Sequence, residues 1–179
     1  PWGQVEIKDY GRLCKEFGID EFSKLLPKIK NPSMYMSRGV IFGHKDFEQI
    51  ITAINNKKPF VMITGLMPSG NFHFGHKVIA DQIIYYQRLG AECFITAADL
   101  EAYLTRNVSL EKARDIAINE YLINYIALGL KPKKVHFYFQ TKWKNEYHSL
   151  SKIISRRTTF NEIKAIYGDT SPAKLVSAL

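Results

Sequence analysis

The stretch Phe60-Val61-Met62-Ile63-Thr64-Gly65-Leu66-Met67-Pro68-Ser69-Gly70-Asn71-Phe72-His73-Phe74-Gly75-His76-Lys77 decides the reading of this chain. Phe60 to Ile63 is a continuous apolar run, expected to form a fully buried strand, and Thr64-Gly65 with Pro68-Ser69-Gly70 supplies the turn that ends it. From Phe74 onward Val78, Ile79, Ile83, Tyr86 and Leu89 recur at helical spacing until Gly90 gives a stop. Strand, turn and helix therefore follow one another within about thirty residues, as a βαβ unit requires.

Downstream the pattern repeats. A second buried strand spans Glu92 to Ala97, and Ser109 can cap a long helix from Leu110 to Leu128 with Glu111 in its first turn. Gly129 ends that helix before a third strand, Val135 to Phe139. Apolar strands alternating with helices of this length predict an open α/β fold: a parallel, Rossmann-like nucleotide-binding sheet with right-handed crossovers and helices on both faces.

Upstream, residues 1–58 read as a mainly helical N-terminal extension broken at Gly18, Pro27, Pro32 and Gly39. There Asp46 is the expected N-cap of a helix carrying Phe47, Ile50, Ile51 and Ile54 on one face, with Gln49 completing the cap. Residues 59–140 read as the nucleotide-binding fold. Residues 141–179 read as further helices, one with Tyr147, Leu150 and Ile154 on a face, one from Phe160 to Tyr167, and one beginning at Pro172 and still running at Leu179.

Composition limits the function classes. The chain has 179 residues, 46% hydrophobic and 23% charged, with 11 Phe and 10 Tyr, which excludes disorder and low complexity. No apolar run is long enough for a membrane span, and Pro1-Trp2-Gly3 lacks signal-peptide character, so a cytoplasmic protein with no membrane partner is expected. Cys14 and Cys93 are too few for a disulfide framework, and Cys93 reads as a core thiol. A net charge of +8 favours a polyanionic partner.

Ligands of open α/β sheets gather beyond the carboxyl ends of the strands, which directs attention to the two strand exits. After the first strand, Gly75 lets a nucleotide approach the backbone, while helix-start amides and the imidazoles of His73 and His76 can bond phosphate oxygens. Two histidines three apart share one side of a helical turn and can face one phosphate chain together. The plain alternative is that both rings cap or pack the helix. Neither an H-E-x-x-H pattern nor nearby cysteines accompany them, so no metal site is expected. Phe42-Gly43-His44-Lys45 repeats four letters of this motif without the turn or the first histidine, and reads as a loop. Gln140, after the third strand, stands at another ligand-facing exit and could bind the amino group or backbone of a substrate.

Pro68-Ser69-Gly70 followed by His73-Phe74-Gly75-His76 resembles the signature of the class I aminoacyl-tRNA synthetases. Thr64-Gly65 before the turn and Ala98-Asp99-Leu100-Glu101-Ala102-Tyr103 after the second strand are similar to the tryptophanyl branch of the archaeal kind. So are Arg38-Gly39-Val40-Ile41-Phe42-Gly43-His44 upstream and Thr159-Phe160-Asn161-Glu162 downstream. The resemblance implies ATP-dependent activation of tryptophan, assisted by Mg²⁺, then transfer to tRNA(Trp) by an enzyme that is a homodimer at full length, with residues 59–140 the first half of its nucleotide-binding fold. It implies an ATP set of Thr64, Gly65, Pro68, Ser69, Gly70, His73, Gly75 and His76, with His73 and His76 as the catalytic pair. It also implies an amino-acid set of Ile63, Asp99 and Glu101, in which a carboxylate accepts the indole N–H, an arrangement that separates tryptophan from phenylalanine by leaving the acceptor unpaired.

A second signature of that class, a Lys-Met-Ser-Lys-Ser-like loop, is not found between Pro1 and Leu179. These residues alone are therefore expected to show little aminoacylation. Lys142, Lys144, Lys152, Arg156 and Arg157 form a basic region, either a solvated face or a tRNA contact. Tyrosine as substrate, a nucleotidyltransferase of similar architecture and a non-catalytic tRNA-binding relative are the competing readings.

Overall fold

The computed structural model describes residues 10–168 and 171–178. Pro1-Trp2-Gly3 and Leu179 lie outside the described residues. Among the described residues, ten α-helices and five strands run in the order α1 (Tyr10–Phe17), β1 (Asp20–Glu21), α2 (Met34–Ser37), β2 (Gly43–His44), α3 (Glu48–Asn55), β3 (Val61–Leu66), α4 (Phe74–Arg88), β4 (Glu92–Ala97), α5 (Asp99–Arg106), α6 (Leu110–Ile116), α7 (Ile123–Ala127), β5 (Val135–Phe139), α8 (Asn145–Ser155), α9 (Phe160–Tyr167) and α10 (Pro172–Ala178). A π-helical turn, Ala117–Leu122, joins α6 to α7 without a break.

β3, β4 and β5 form a parallel sheet in that order, with Ile63 beside Phe94, Gly65 beside Thr96, and Thr96 beside Tyr138. The mixed α/β fold with a parallel sheet is as the sequence predicts. Both crossovers step across the sheet in the same direction, and right-handedness then places their helices on the same face. Ala80, Ile83 and Ile84 of α4 and Ile116, Ala117, Tyr121 and Tyr125 of the second crossover accordingly pack with Leu66, Cys93, Ile95 and Ala97 in one core. Each fully buried isoleucine here contributes about 2 kcal/mol of apolar burial.

On the other face of the sheet the edge strand β3 is exposed, which corrects the expectation of a fully buried first strand. Val61 and Ile63 are 50% and 73% exposed, and only the alternate side chains of β3 point inward. The motif copy also finds its place: Gly43 and His44 pair with Asp20 and Glu21 in a two-residue ribbon, and a Cβ on Gly43 would collide with Ile19. Asp46 is not the cap of α3. Its φ of +55° is left-handed, whereas a capping residue is extended, so the helix starts at Glu48 without a side-chain cap. The N-terminal segment lies against α4 through Tyr35 bonded to Asp81, Tyr85 bonded to the Asn31 carbonyl, and Phe47 against Tyr86. The Cys93 thiol is buried, and burial pushes its pKa up, which makes it a core residue rather than a nucleophile.

Candidate functional site

The loop Met67–Asn71 leaves the carboxyl end of β3 and delivers the chain to the N-terminus of α4. Pro68 is fully buried and anchors the loop, while Ser69 and Gly70 are exposed. His73 is the N-cap of α4. Its backbone is extended, φ −144° and ψ 176°, and its Nδ1 accepts the Gly75 amide at 3.1 Å. In return His76 Nδ1 accepts the His73 amide at 3.3 Å, closing a capping box built from two imidazoles. The rings face each other with centroids 3.7 Å apart. Gly75 is needed for this arrangement, because a Cβ there would stand 3.0 Å from the His73 ring.

Two expectations change in this light. The Gly75 and His73 amides expected to await phosphate are satisfied by the histidines' own rings, and the bare backbone at Gly75 accommodates His73. The histidines also differ from each other. His73 is exposed and its Nε2 has no partner among the described residues, whereas His76 Nε2 lies 3.1 Å from Tyr121 Oη, with Phe72 packed beside the ring. Because both Nδ1 atoms accept, each neutral ring carries its proton on Nε2. His73 is thus the imidazole able to donate outward.

Burial, then the neighbouring His73, holds the His76 pKa below its ordinary value of 6.5. The folded chain therefore binds fewer protons than the unfolded one between the two values, and the stability this brings is complete above 6.5 and lost as pH falls through the folded value. The groups facing His76 are His73, Tyr121 and, one residue before it, Glu120, which accepts the Phe72 amide at 3.2 Å. Urea unfolding is expected to show stability falling as pH drops below 6.5, with a smaller fall in His76→Gln. Equal falls in both proteins would remove His76 as the cause.

At the neighbouring strand exits the expected amino-acid residues separate into three groups. Asp99 is fully buried and serves only protein donors: it accepts the Thr141 amide at 3.1 Å, the Leu100 amide at 3.0 Å, Arg114 Nε at 3.3 Å and the Thr141 hydroxyl. It ties the exits of β4 and β5 to α6, and the expected contact with substrate is corrected to a clamp. Glu101 and Gln140 do come together, the Glu101 amide donating to Gln140 Oε1 at 3.0 Å. Both line a cavity of about 450 Å³ with Trp143, Tyr147, Leu100 and Lys152. Ile63 stands apart on the open face of the sheet. Thr64 is half-buried on the core side of β3, and Gly65 lies on its open side.

Arg114, Thr141, Trp143, Glu120 and Tyr121 were not legible as site residues. Tyr121 reads as core from its spacing, and it is 1% exposed, yet its hydroxyl reaches His76. Trp143 lies against Tyr147 with ring centroids 3.6 Å apart, and its buried Nε1 has no hydrogen-bond partner among the described residues. The cavity thus combines apolar walls with a few polar groups, the usual character of a small-ligand site. Among the described residues no group of three or more His, Cys, Asp and Glu could hold a metal ion, and no helix is long and apolar enough to cross a membrane.

Residues 55–177 match the model of the class I tRNA synthetases (W and Y). A tryptophan-tRNA ligase of Aeropyrum pernix is 48% identical over 100% of this chain and 49% of its own length. One of Hyperthermus butylicus is 47% identical with the same coverage. The crystal structure of tryptophanyl-tRNA synthetase from Aeropyrum pernix superposes with a TM-score of 0.88 at 47% identity, covering 99% of this chain and 49% of that one. That of Plasmodium falciparum gives 0.79 at 25% identity, covering 94% and 48%. The chain spans about half the length of the curated relatives it matches.

Proposed function

This chain belongs to the class I tRNA synthetases of the W and Y group, and on that premise we propose that it carries part of the activation site of a cytoplasmic tryptophan-tRNA ligase. In the first step an oxygen of the tryptophan carboxylate attacks the α-phosphorus of ATP, the bond to the bridging oxygen breaks, and pyrophosphate leaves. In the second, a ribose hydroxyl at the tRNA end takes the aminoacyl group and AMP departs. The carboxylate is already the nucleophile, so the protein contributes position and charge stabilisation rather than a general base. Mg²⁺ carried in with the nucleotide would neutralise phosphate charge.

The observation that carries this reading is His73 at the exit of β3, with Nδ1 tied to the helix and Nε2 turned to solvent. From there Nε2–H can donate to a phosphate oxygen as charge builds on it. Thr64, Gly65, Pro68, Ser69, Gly70, Gly75 and His76 shape and hold this edge. We assign the cavity at Glu101 and Gln140 to the amino acid, with Ile63 on the neighbouring open face. The Gln140 carbonyl is oriented by the Glu101 amide, which leaves its Nε2–H₂ to donate.

Three finer assignments belong to the same proposal. Residues 1–58 are an extension, 59–140 the first nucleotide-fold half, and 141–179 the start of a helical connective insertion. Leu150, Ile153 and Ile154 of α8 are 52%, 68% and 53% exposed, which supports homodimer formation through this insertion. Lys142, Lys144, Arg156 and Arg157 beside it would meet tRNA phosphates.

A thermal-shift panel of the twenty amino acids, each with and without ATP, tests the substrate. Tryptophan is expected to raise the melting temperature of the full-length protein, by about 2.7 kcal/mol of stability at a hundredfold excess over Kd. Stabilisation by tyrosine and not tryptophan would replace the substrate, and stabilisation by neither would remove the activation reading.

A further inference from the structure

The crossover helix between β4 and β5 is regular through Ile116 and then widens into the π turn Ala117–Leu122. One additional residue in a turn rotates the downstream part of the helix by roughly 100° relative to an unbroken one. Within that turn, consecutive side chains reach the start of α4. The Glu120 carboxylate takes the Phe72 amide, and Tyr121 Oη meets His76 Nε2 at 3.1 Å, the Tyr121 and His76 rings lying edge to face at 4.7 Å.

We infer that Tyr121 is a positioning residue for the activation site, acting through His76; this rests on the activation function proposed above. His76 is bonded at both nitrogens, to the His73 amide through Nδ1 and to Tyr121 through Nε2. A second proton on that ring would set Nδ1–H against the His73 N–H, so the geometry itself favours the neutral form. The His73 ring rests on this fixed surface with its centroid 3.7 Å away. Tyr121 therefore orients His76, His76 supports His73, and His73 Nε2–H is aimed at the nucleotide. Phe72, packed against His76, Tyr121 and Tyr125, holds the assembly from the core side.

Tyr121→Phe removes only the hydroxyl. In the full-length protein it is expected to lower the melting temperature by no more than about 4 °C, since the loss is that of one hydrogen bond and the shift such a loss produces shrinks as the chain lengthens. Imidazole ¹⁵N spectra should show His76 as one Nε2-protonated species in the parent and a shifted Nε2 resonance in Tyr121→Phe. In tryptophan-dependent ATP–pyrophosphate exchange, Tyr121→Phe should lower kcat roughly tenfold, a loss of alignment rather than of binding. In a His76→Ala background the same change should cost nothing more. Equal losses in both backgrounds, or an unaltered His76 spectrum, would overturn the inference. Full activity of His76→Ala would instead remove the activation reading, while the spectra still decide whether Tyr121 holds the ring.

Discussion

An Asp99→Ala variant is expected to lose about 3 kcal/mol of folding stability, read as a fall of roughly 6–12 °C in melting temperature. The carboxylate is 0% exposed and serves four donors: two backbone amides, one hydroxyl and one guanidinium. Truncation leaves the Thr141 and Leu100 amides without their carboxylate partner, and buried donors of that kind cost on the order of 1–3 kcal/mol each. The loss stays at the lower end of the range for broken buried pairs because Arg114 is 39% exposed and can turn to water. Asp99→Asn should fall between the two proteins, since its amide presents N–H₂ to a donor where the carboxylate presents oxygen. Urea unfolding of the three proteins checks this. Stability of Asp99→Ala within about 1 kcal/mol of the parent would mean that the clamp at the strand exits is dispensable.

His73→Asn is expected to lower tryptophan-dependent ATP–pyrophosphate exchange by the full-length protein about a hundredfold, the usual consequence of losing one donor to a developing anion. The substitution is chosen because asparagine is itself among the strongest N-caps, so α4 keeps an acceptor for its first turn while the outward Nε2–H disappears. The melting temperature should therefore change little. His73→Ala should instead lose the cap as well, at about 1 kcal/mol. Parental exchange rates in His73→Asn would reduce His73 to a helix cap, and the catalytic reading of this motif would have to be given up.

Features legible in the sequence are those fixed by neighbours along the chain. Ser109 caps α6 by accepting the Lys112 amide, within three residues. The apolar runs at β3, β4 and β5 and the stop at Gly90, φ +102°, are equally local. His73 and Gly75 are the same kind of signal, and their capping role and their proposed chemistry both follow from their place at a helix start.

The remainder depends on partners far apart in the chain. Asp99 meets Thr141, 42 residues on, and this contact turns an expected substrate ligand into a clamp. Tyr121 meets His76 across 45 residues, from a π turn that keeps its ring in the core while its hydroxyl reaches the imidazole.

By itself the sequence determined the order of the three parallel strands and the helical crossovers between them, and the two histidines at the start of α4, since apolar periodicity acts over three or four residues. Tertiary structure alone decided which face of the sheet is covered, which carboxylate is locked away and which imidazole is free to donate. Those outcomes depend on sheet register and crossover hand, which bring distant residues within hydrogen-bond range and which no short stretch of chain encodes.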